Sequence, residues 1–133
     1  YGIYDMSGGA YEYVASYVGN GNDYLQTYGA SLVNSSSGYL KQVYSKGTSD
    51  YYAPNYQANK GRYGDAVYET STAGTGTNSW YGDYSIFPNA SYPFFHRGGV
   101  CGEGSPSGAF FFNYGTGNSD SNYGFRPVLA PAV

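Results

Sequence analysis

Apolar positions come in short bursts along this chain, separated by runs of Gly, Asn, Ser and Thr. From Ile3 to Val18 tyrosines alternate with small or polar residues, through Tyr11, Tyr13, Val14, Tyr17 and Val18. This period-two pattern predicts a strand through Tyr4, a Ser7-Gly8-Gly9 turn and a second strand around Tyr11 to Tyr17. Gly19-Asn20-Gly21-Asn22-Asp23 is a loop of residues that tolerate left-handed backbone. Tyr24 to Tyr44 has no single period; a turn falls at Ser35-Ser36-Ser37-Gly38, and Tyr39 to Tyr44 reads as a short strand. Pro54 to Tyr68 is the best helix candidate, with Tyr56, Ala58, Tyr63, Ala66 and Val67 compatible with one face. Gly61 and Gly64 oppose that helix by about 1 kcal/mol each relative to alanine.

Farther on, Ser71 to Ser79 is a Gly-Thr-Asn loop leading to Trp80-Tyr81-Gly82-Asp83-Tyr84. Prolines and aromatics then alternate from Phe87 to Phe95, ahead of His96-Arg97-Gly98-Gly99. Ala109 to Asn113 is a short apolar run suited to a buried strand, Tyr114 to Tyr123 a polar, glycine-broken loop, and Phe125 to Leu129 a closing strand. Short strands, long loops and one or two helices make an α+β domain. With 133 residues and no internal linker or repeat, residues 1–133 read as one domain.

Composition narrows the function classes. Charged residues are only 11 % of the chain, beside 21 glycines and 19 tyrosines, which argues for an ordered, loop-rich domain over a disordered one. The net charge is −3, and the six basic residues are scattered, so no stripe exists to neutralise a phosphate backbone and nucleic acid is not an expected partner. No apolar run approaches the length of a membrane span. A single cysteine, Cys101, excludes an internal disulfide framework and a cysteine-based zinc site. This low-charge, Asn/Ser/Thr/Gly/Tyr-rich composition fits an extracellular protein of a bacterial or phage surface.

Three segments carry a family resemblance: Gly2-Ile3-Tyr4-Asp5-Met6-Ser7-Gly8-Gly9-Ala10-Tyr11-Glu12-Tyr13, then Arg97-Gly98-Gly99, then Gly124-Phe125-Arg126. In this order they resemble the formylglycine-generating-enzyme (sulfatase-modifying factor) family, whose fold is related to C-type lectins. The resemblance implies a C-type-lectin-like fold, loop-rich, with short antiparallel strands and one or two helices. The opening motif sits mid-domain in that family, so the resemblance also implies that the chain is the C-terminal part of a larger domain. It implies scaffold roles for Asp5, Glu12, Arg97, Gly98, Gly99, Gly124, Phe125 and Arg126. Arginine is rarely buried unpartnered, which makes Asp5 and Glu12 the expected acceptors for Arg97 and Arg126.

The family's reaction is not expected here. Its redox-active cysteine pair, which holds copper, falls on Glu103 and Gly108 of this sequence, and Cys101 falls where the family has an aromatic residue. One thiol cannot provide two-thiolate coordination of a soft metal. Related oxygenases need two histidines with a carboxylate, and the only histidine is His96. A Ser or Cys triad would also have to use His96 as its base. A metal-dependent oxidase is therefore the least favoured alternative, and no catalytic residue is assigned.

Asn20, Asn22 and Asp23, like Asn118, Asp120 and Asn122, offer hard oxygen ligands of the kind calcium takes. Neither set has the carboxylate density of a strong site, and these residues are turn formers first. No cofactor is expected, calcium being the one candidate. Ser91 to Tyr123 is rich in Tyr, Asn, Ser, Asp, Gly and Phe, the types that build adaptable recognition surfaces. By the resemblance it also occupies the place of the variable region in retroelement-diversified binding proteins. The expected function is thus a non-catalytic, adhesin-like domain for a protein or glycan ligand. Its expected binding residues are Trp80, Tyr81, Tyr84, Tyr92, His96, Glu103, Tyr114, Asn118, Asp120, Asn122 and Tyr123. The alternative is a structural subunit of a fibre, pilus or virion, possible as a homo-oligomer because tyrosine also favours subunit interfaces.

Overall fold

The computed structural model describes residues 9–36, 38, 41–100, 102 and 107–125. The element order is β1 (Tyr11–Val18), α1 (Tyr24–Thr27), α2 (Ala30–Val33), β2 (Gln42–Tyr44), α3 (Tyr52–Asn59), α4 (Val67–Thr70), a 3-10 turn at Trp80–Gly82, β3 (Phe94–Gly98), β4 (Phe112–Gly115) and β5 (Tyr123–Gly124). Among the described residues this is an α+β fold with one open sheet of five strands. The order is β2-β1-β3-β4, with β5 also on β1. Since β5 pairs with Tyr11 and Glu12, the residues already facing β3, it shares with β2 the opposite edge of β1.

The sheet is mixed, not antiparallel throughout as expected. β3 runs antiparallel to both β1 and β4, whereas β2 and β5 run parallel to β1. Parallel pairing needs a long crossover. The stretch between β1 and β2 provides one, using its apolar residues in the single turns α1 and α2. That is also why Tyr24 to Tyr44 shows no single period.

The helix expected over Pro54 to Tyr68 is two helices. α3 starts earlier, at Tyr52, and stops at Asn59. Gly64 then takes φ +104° and Ala66 φ +64°, both left-handed, and the chain restarts as α4 after the Asp65 carboxylate accepts the Val67 amide at 3.0 Å. The buried run expected over Ala109 to Asn113 pairs as β4 three residues later than expected, although Phe111 and Phe112 are buried. The strand through Tyr4 and the closing strand beyond Phe125 lie outside the described residues.

Both faces of the sheet are covered, because successive side chains of β3 diverge. Phe95 enters the larger cluster with Val18, Tyr44, Tyr56, Val67, Phe87 and Phe112. Phe87 is its centre: the rings of Tyr44, Phe95 and Tyr56 meet it edge to face at 5.2, 4.9 and 5.9 Å. Phe94 packs on the other face with Tyr17 and Leu25. Tyr13 and Tyr17, four residues apart on β1, both lie on the Phe94 side by strand alternation, and the register with β3 shifts between them.

Two asparagines of α3 replace ladder bonds for the loop after β2. Asn59 accepts the Ser45 amide at 2.9 Å and donates to its carbonyl at 2.7 Å. Asn55, fully buried, accepts from the Gly47 amide at 2.6 Å and donates to the Asp50 carboxylate at 2.9 Å and the Pro88 carbonyl at 3.0 Å. The turn after Pro88 is held in the same way, through the Ala90 amide on the Asp50 carbonyl at 3.0 Å.

Candidate functional site

The ladder between β3 and β4 sets Asn113 beside His96 and Tyr114 beside Phe95. Tyr114 stacks on Tyr92 at 4.8 Å and 23°, and Tyr92 sits on a turn closed by reciprocal bonds with Asn89 at 3.1 and 3.2 Å. Tyr51 and Tyr52 lie nearby, their rings 3.9 Å apart and their hydroxyls bonded at 2.6 Å. Burial raises the pKa of Tyr114, and the hydroxyls of Tyr84, Tyr92 and Tyr51 push it further the same way. Five tyrosines therefore converge on one face.

Next to this wall runs a groove of about 450 Å³. Its lining brings together the tyrosines 11, 92, 114 and 123, the polar Asn113, Thr116, Asn118 and Asp120, and His96. His96, expected at the surface, is only 2 % exposed. The rings of Tyr11 and Tyr123 lie 4.5 and 5.4 Å from it, and Tyr13 meets it edge-on at 6.0 Å. His96 Nε2 is 2.9 Å from the Tyr114 carbonyl, which can only accept, so Nε2 carries the proton and Nδ1 is left as an acceptor. Nδ1 is buried and has no partner among the described residues. Burial pushes the imidazole pKa down to about 4, and the bond to Tyr114 pulls weakly the other way.

Six of the expected binding residues line this groove: Tyr92, His96, Tyr114, Asn118, Asp120 and Tyr123. Tyr84 borders it through Tyr114. Asn122 stands at its edge, where its carbonyl accepts the Tyr11 amide at 2.8 Å. Glu103 lies outside the described residues. Tyr11, Asn113 and Thr116 were not expected. Tyr11 belonged to an alternating strand pattern and Asn113 to an apolar run, and only the pairing across β3 brings them together.

Trp80 and Tyr81 stand apart on a separate knuckle, 55 % and 93 % exposed. Trp80 meets Phe110 edge-on at 5.3 Å and Tyr81 stacks on it at 5.9 Å. The knuckle is built, not loose. Buried Asp83 accepts the Phe110 amide at 2.9 Å, the Ser79 hydroxyl donates to the Phe110 carbonyl at 3.1 Å, and Tyr81 is held at φ +60°. A methyl group on Gly108 would run into the Asp83 carboxylate. Gly108→Ala should therefore cost about 1–3 kcal/mol, as overpacking does. It should also change the emission of Trp80, the single tryptophan, and an unchanged melt and spectrum would refute that packing.

Of the expected scaffold residues, Arg97 lies in β3 opposite Glu12 of β1. Its guanidinium donates to the Asp65 carbonyl at 2.7 Å and sits 5.8 Å over the Phe112 ring. Asp65 was missed because it fell inside the expected helix; its carboxylate also takes the Tyr44 hydroxyl, and together with burial this raises the Tyr44 pKa. Gly98 ends β3 and Gly99 follows it, both buried, while Gly124 ends β5. Phe125, expected as scaffold, is 79 % exposed because β5 ends before it. Asp5 and Arg126 lie outside the described residues.

In the two candidate calcium loops four side-chain oxygens are taken up by backbone amides and neighbouring hydroxyls. Asn20 accepts the Asn22 amide at 3.1 Å and Asn22 the Tyr24 amide at 2.7 Å. Asn118 takes the Thr116 hydroxyl and Asp120 the Asn122 amide at 3.0 Å. Among the described residues no three His, Cys, Asp or Glu side chains gather as a metal site, and no helix is long and apolar enough to cross a membrane. Comparison with protein-family models, curated proteins and solved structures finds no match for this chain.

Proposed function

We propose that this chain is a non-catalytic binding domain that uses its tyrosine-walled groove to hold a ligand, protein or glycan, presented on another surface. The observation that carries the reading is the stacked Tyr92–Tyr114 pair beside polar side chains and an unpartnered buried acceptor. Tyrosine gives large contact area at low entropic cost, and Asn, Ser and Thr give adaptable hydrogen bonding. His96 is poorly suited to base catalysis, since one nitrogen is committed to a backbone carbonyl and burial lowers the imidazole's proton affinity. Extracellular display on a bacterial or phage surface belongs to the same proposal, supported by composition. So does the finer fold, a C-type-lectin-like frame of the formylglycine-generating-enzyme type, supported by Arg97 and Gly98 pairing in β3 with central β1 and by Gly99 directly after them.

Arrays of glycans and of extracellular proteins, probed with the chain and its variants, test the reading. Tyr92→Ala should weaken capture by about tenfold or more, as loss of an aromatic anchor does. Tyr63→Ala, at an exposed tyrosine outside the groove, should leave capture unchanged. Equal capture by both variants of every ligand found would refute the groove as the site.

A structural-subunit role is the second reading, and the Trp80–Tyr81–Phe110 knuckle favours it. A Tyr ring 93 % exposed on left-handed backbone invites cover by another chain. Sedimentation velocity would then show an assembly that Tyr81→Ala dissolves, whereas a monomer at all concentrations would refute it.

A further inference from the structure

We propose that the groove takes a neutral pyranose ring, its apolar face on the Tyr92–Tyr114 wall and its hydroxyls toward Asp120, Asn113 and the imidazole of His96. This rests on the binding reading above and narrows its ligand to one chemical class. The first argument is size: about 450 Å³ lies within the roughly 300–1,000 Å³ of small-molecule sites. The second is charge. Among the described residues Asp120 is the only charged side chain in the lining, so an anionic ligand would meet a carboxylate there and no described cation.

The third argument is hydrogen bonding. The bonds Asp120 makes within its loop fall on Oδ1, at 3.0 Å from the Asn122 amide and 3.3 Å from the Ser121 hydroxyl. Asn113 uses its Oδ1 on the Tyr114 amide at 2.8 Å, which leaves its NH₂ group as a donor. His96 contributes an acceptor with no partner among the described residues. A hydroxyl both donates and accepts, so a polyol answers this mixed set. A quaternary ammonium such as choline would suit the aromatic walls and Asp120, but its one hydroxyl cannot serve His96 and Asn113 together as the several hydroxyls of a polyol can. The rings of Tyr11 and Tyr123, at 4.5 and 5.4 Å, pack on His96, so a ligand hydroxyl reaches the imidazole only by parting this aromatic cluster.

The test is an amide-resolved NMR titration of the whole chain, in EDTA, with methyl glycosides of glucose, galactose, mannose and N-acetylglucosamine, and separately with choline. At least one glycoside should shift the amides of Asn113, Tyr114 and Asn118 saturably. Tyr92→Ala, which changes an exposed side chain, should weaken that binding by about tenfold or more. His96→Phe should weaken it, and His96→Gln, which keeps both a donor and an acceptor, should restore much of the loss. Overturning results are shifts with choline alone, no glycoside shifts at these amides, or wild-type affinity in Tyr92→Ala. If the glycosides fail while a protein on the array still needs Tyr92, the saccharide assignment falls and the binding reading stands. If no array ligand depends on Tyr92, the binding reading falls as well.

Discussion

Asn55→Leu should destabilise the domain by about 4 kcal/mol, summing two orphaned backbone groups at roughly 1–3 kcal/mol each. The side chains are similar in size, so the loss is one of hydrogen bonding and not of volume. The Pro88 carbonyl and the Gly47 amide lose their partner, and the Asp50 carboxylate loses a donor. Against a typical domain stability of about 5–15 kcal/mol, this is a large fraction. The effect should reach the groove, since Pro88 leads into the turn that carries Tyr92. Urea melts read the stability, and the Tyr92 amide shift reads the turn. A loss below about 1 kcal/mol would mean that water replaces the asparagine and that the staple is not structural.

Acid should weaken the fold through His96. Its pKa is 6.5 as a free side chain and about 4 when folded, lowered by burial. Above pH 6.5 both states are neutral and the full contribution is present. As pH falls from 6.5 toward 4 the unfolded chain takes up the proton and the folded chain does not, so stability drops; below 4 the loss levels off. At 1.36 kcal/mol per pH unit, the loss is about 3 kcal/mol. Among the described residues the other titratable groups packed on the imidazole are the tyrosines 11, 13 and 123, and Asp120 shares the groove. Carboxylates titrate in the same range, so the quantity to measure is wild type minus His96→Gln. That difference should narrow from neutral pH toward pH 4, and parallel stability curves would refute the buried neutral imidazole.

Local signals were legible where one residue decides the backbone. The alternation over Tyr11 to Tyr17 is β1, Tyr39 to Tyr44 contains β2, and Gly19 to Asp23 is a loop built on asparagine turns. The helix over Pro54 to Tyr68 was misread because its apolar spacing outweighed Gly61 and Gly64, whereas the chain breaks there and delivers Asp65 to Arg97 and Tyr44. Parallel pairing was invisible for a different reason. Strand alternation reports which side chains share a face, and carries nothing about the direction of the neighbour.

The sequence alone determined the class of the domain, its short strands and its supply of tyrosine and asparagine on glycine-rich loops, because those follow from local backbone preference and composition. It also named six of the residues that line the groove, since polar aromatics in loops are recognisable one at a time. Only the tertiary structure decided that Tyr11 and Asn113 join them, that Trp80 and Tyr81 do not, and that His96 is buried. Those outcomes depend on register between strands distant in the chain, where a one-residue slip exchanges the two faces. Burial of the imidazole, and with it the unpartnered acceptor, exists only once β1, β3 and β5 have closed around it.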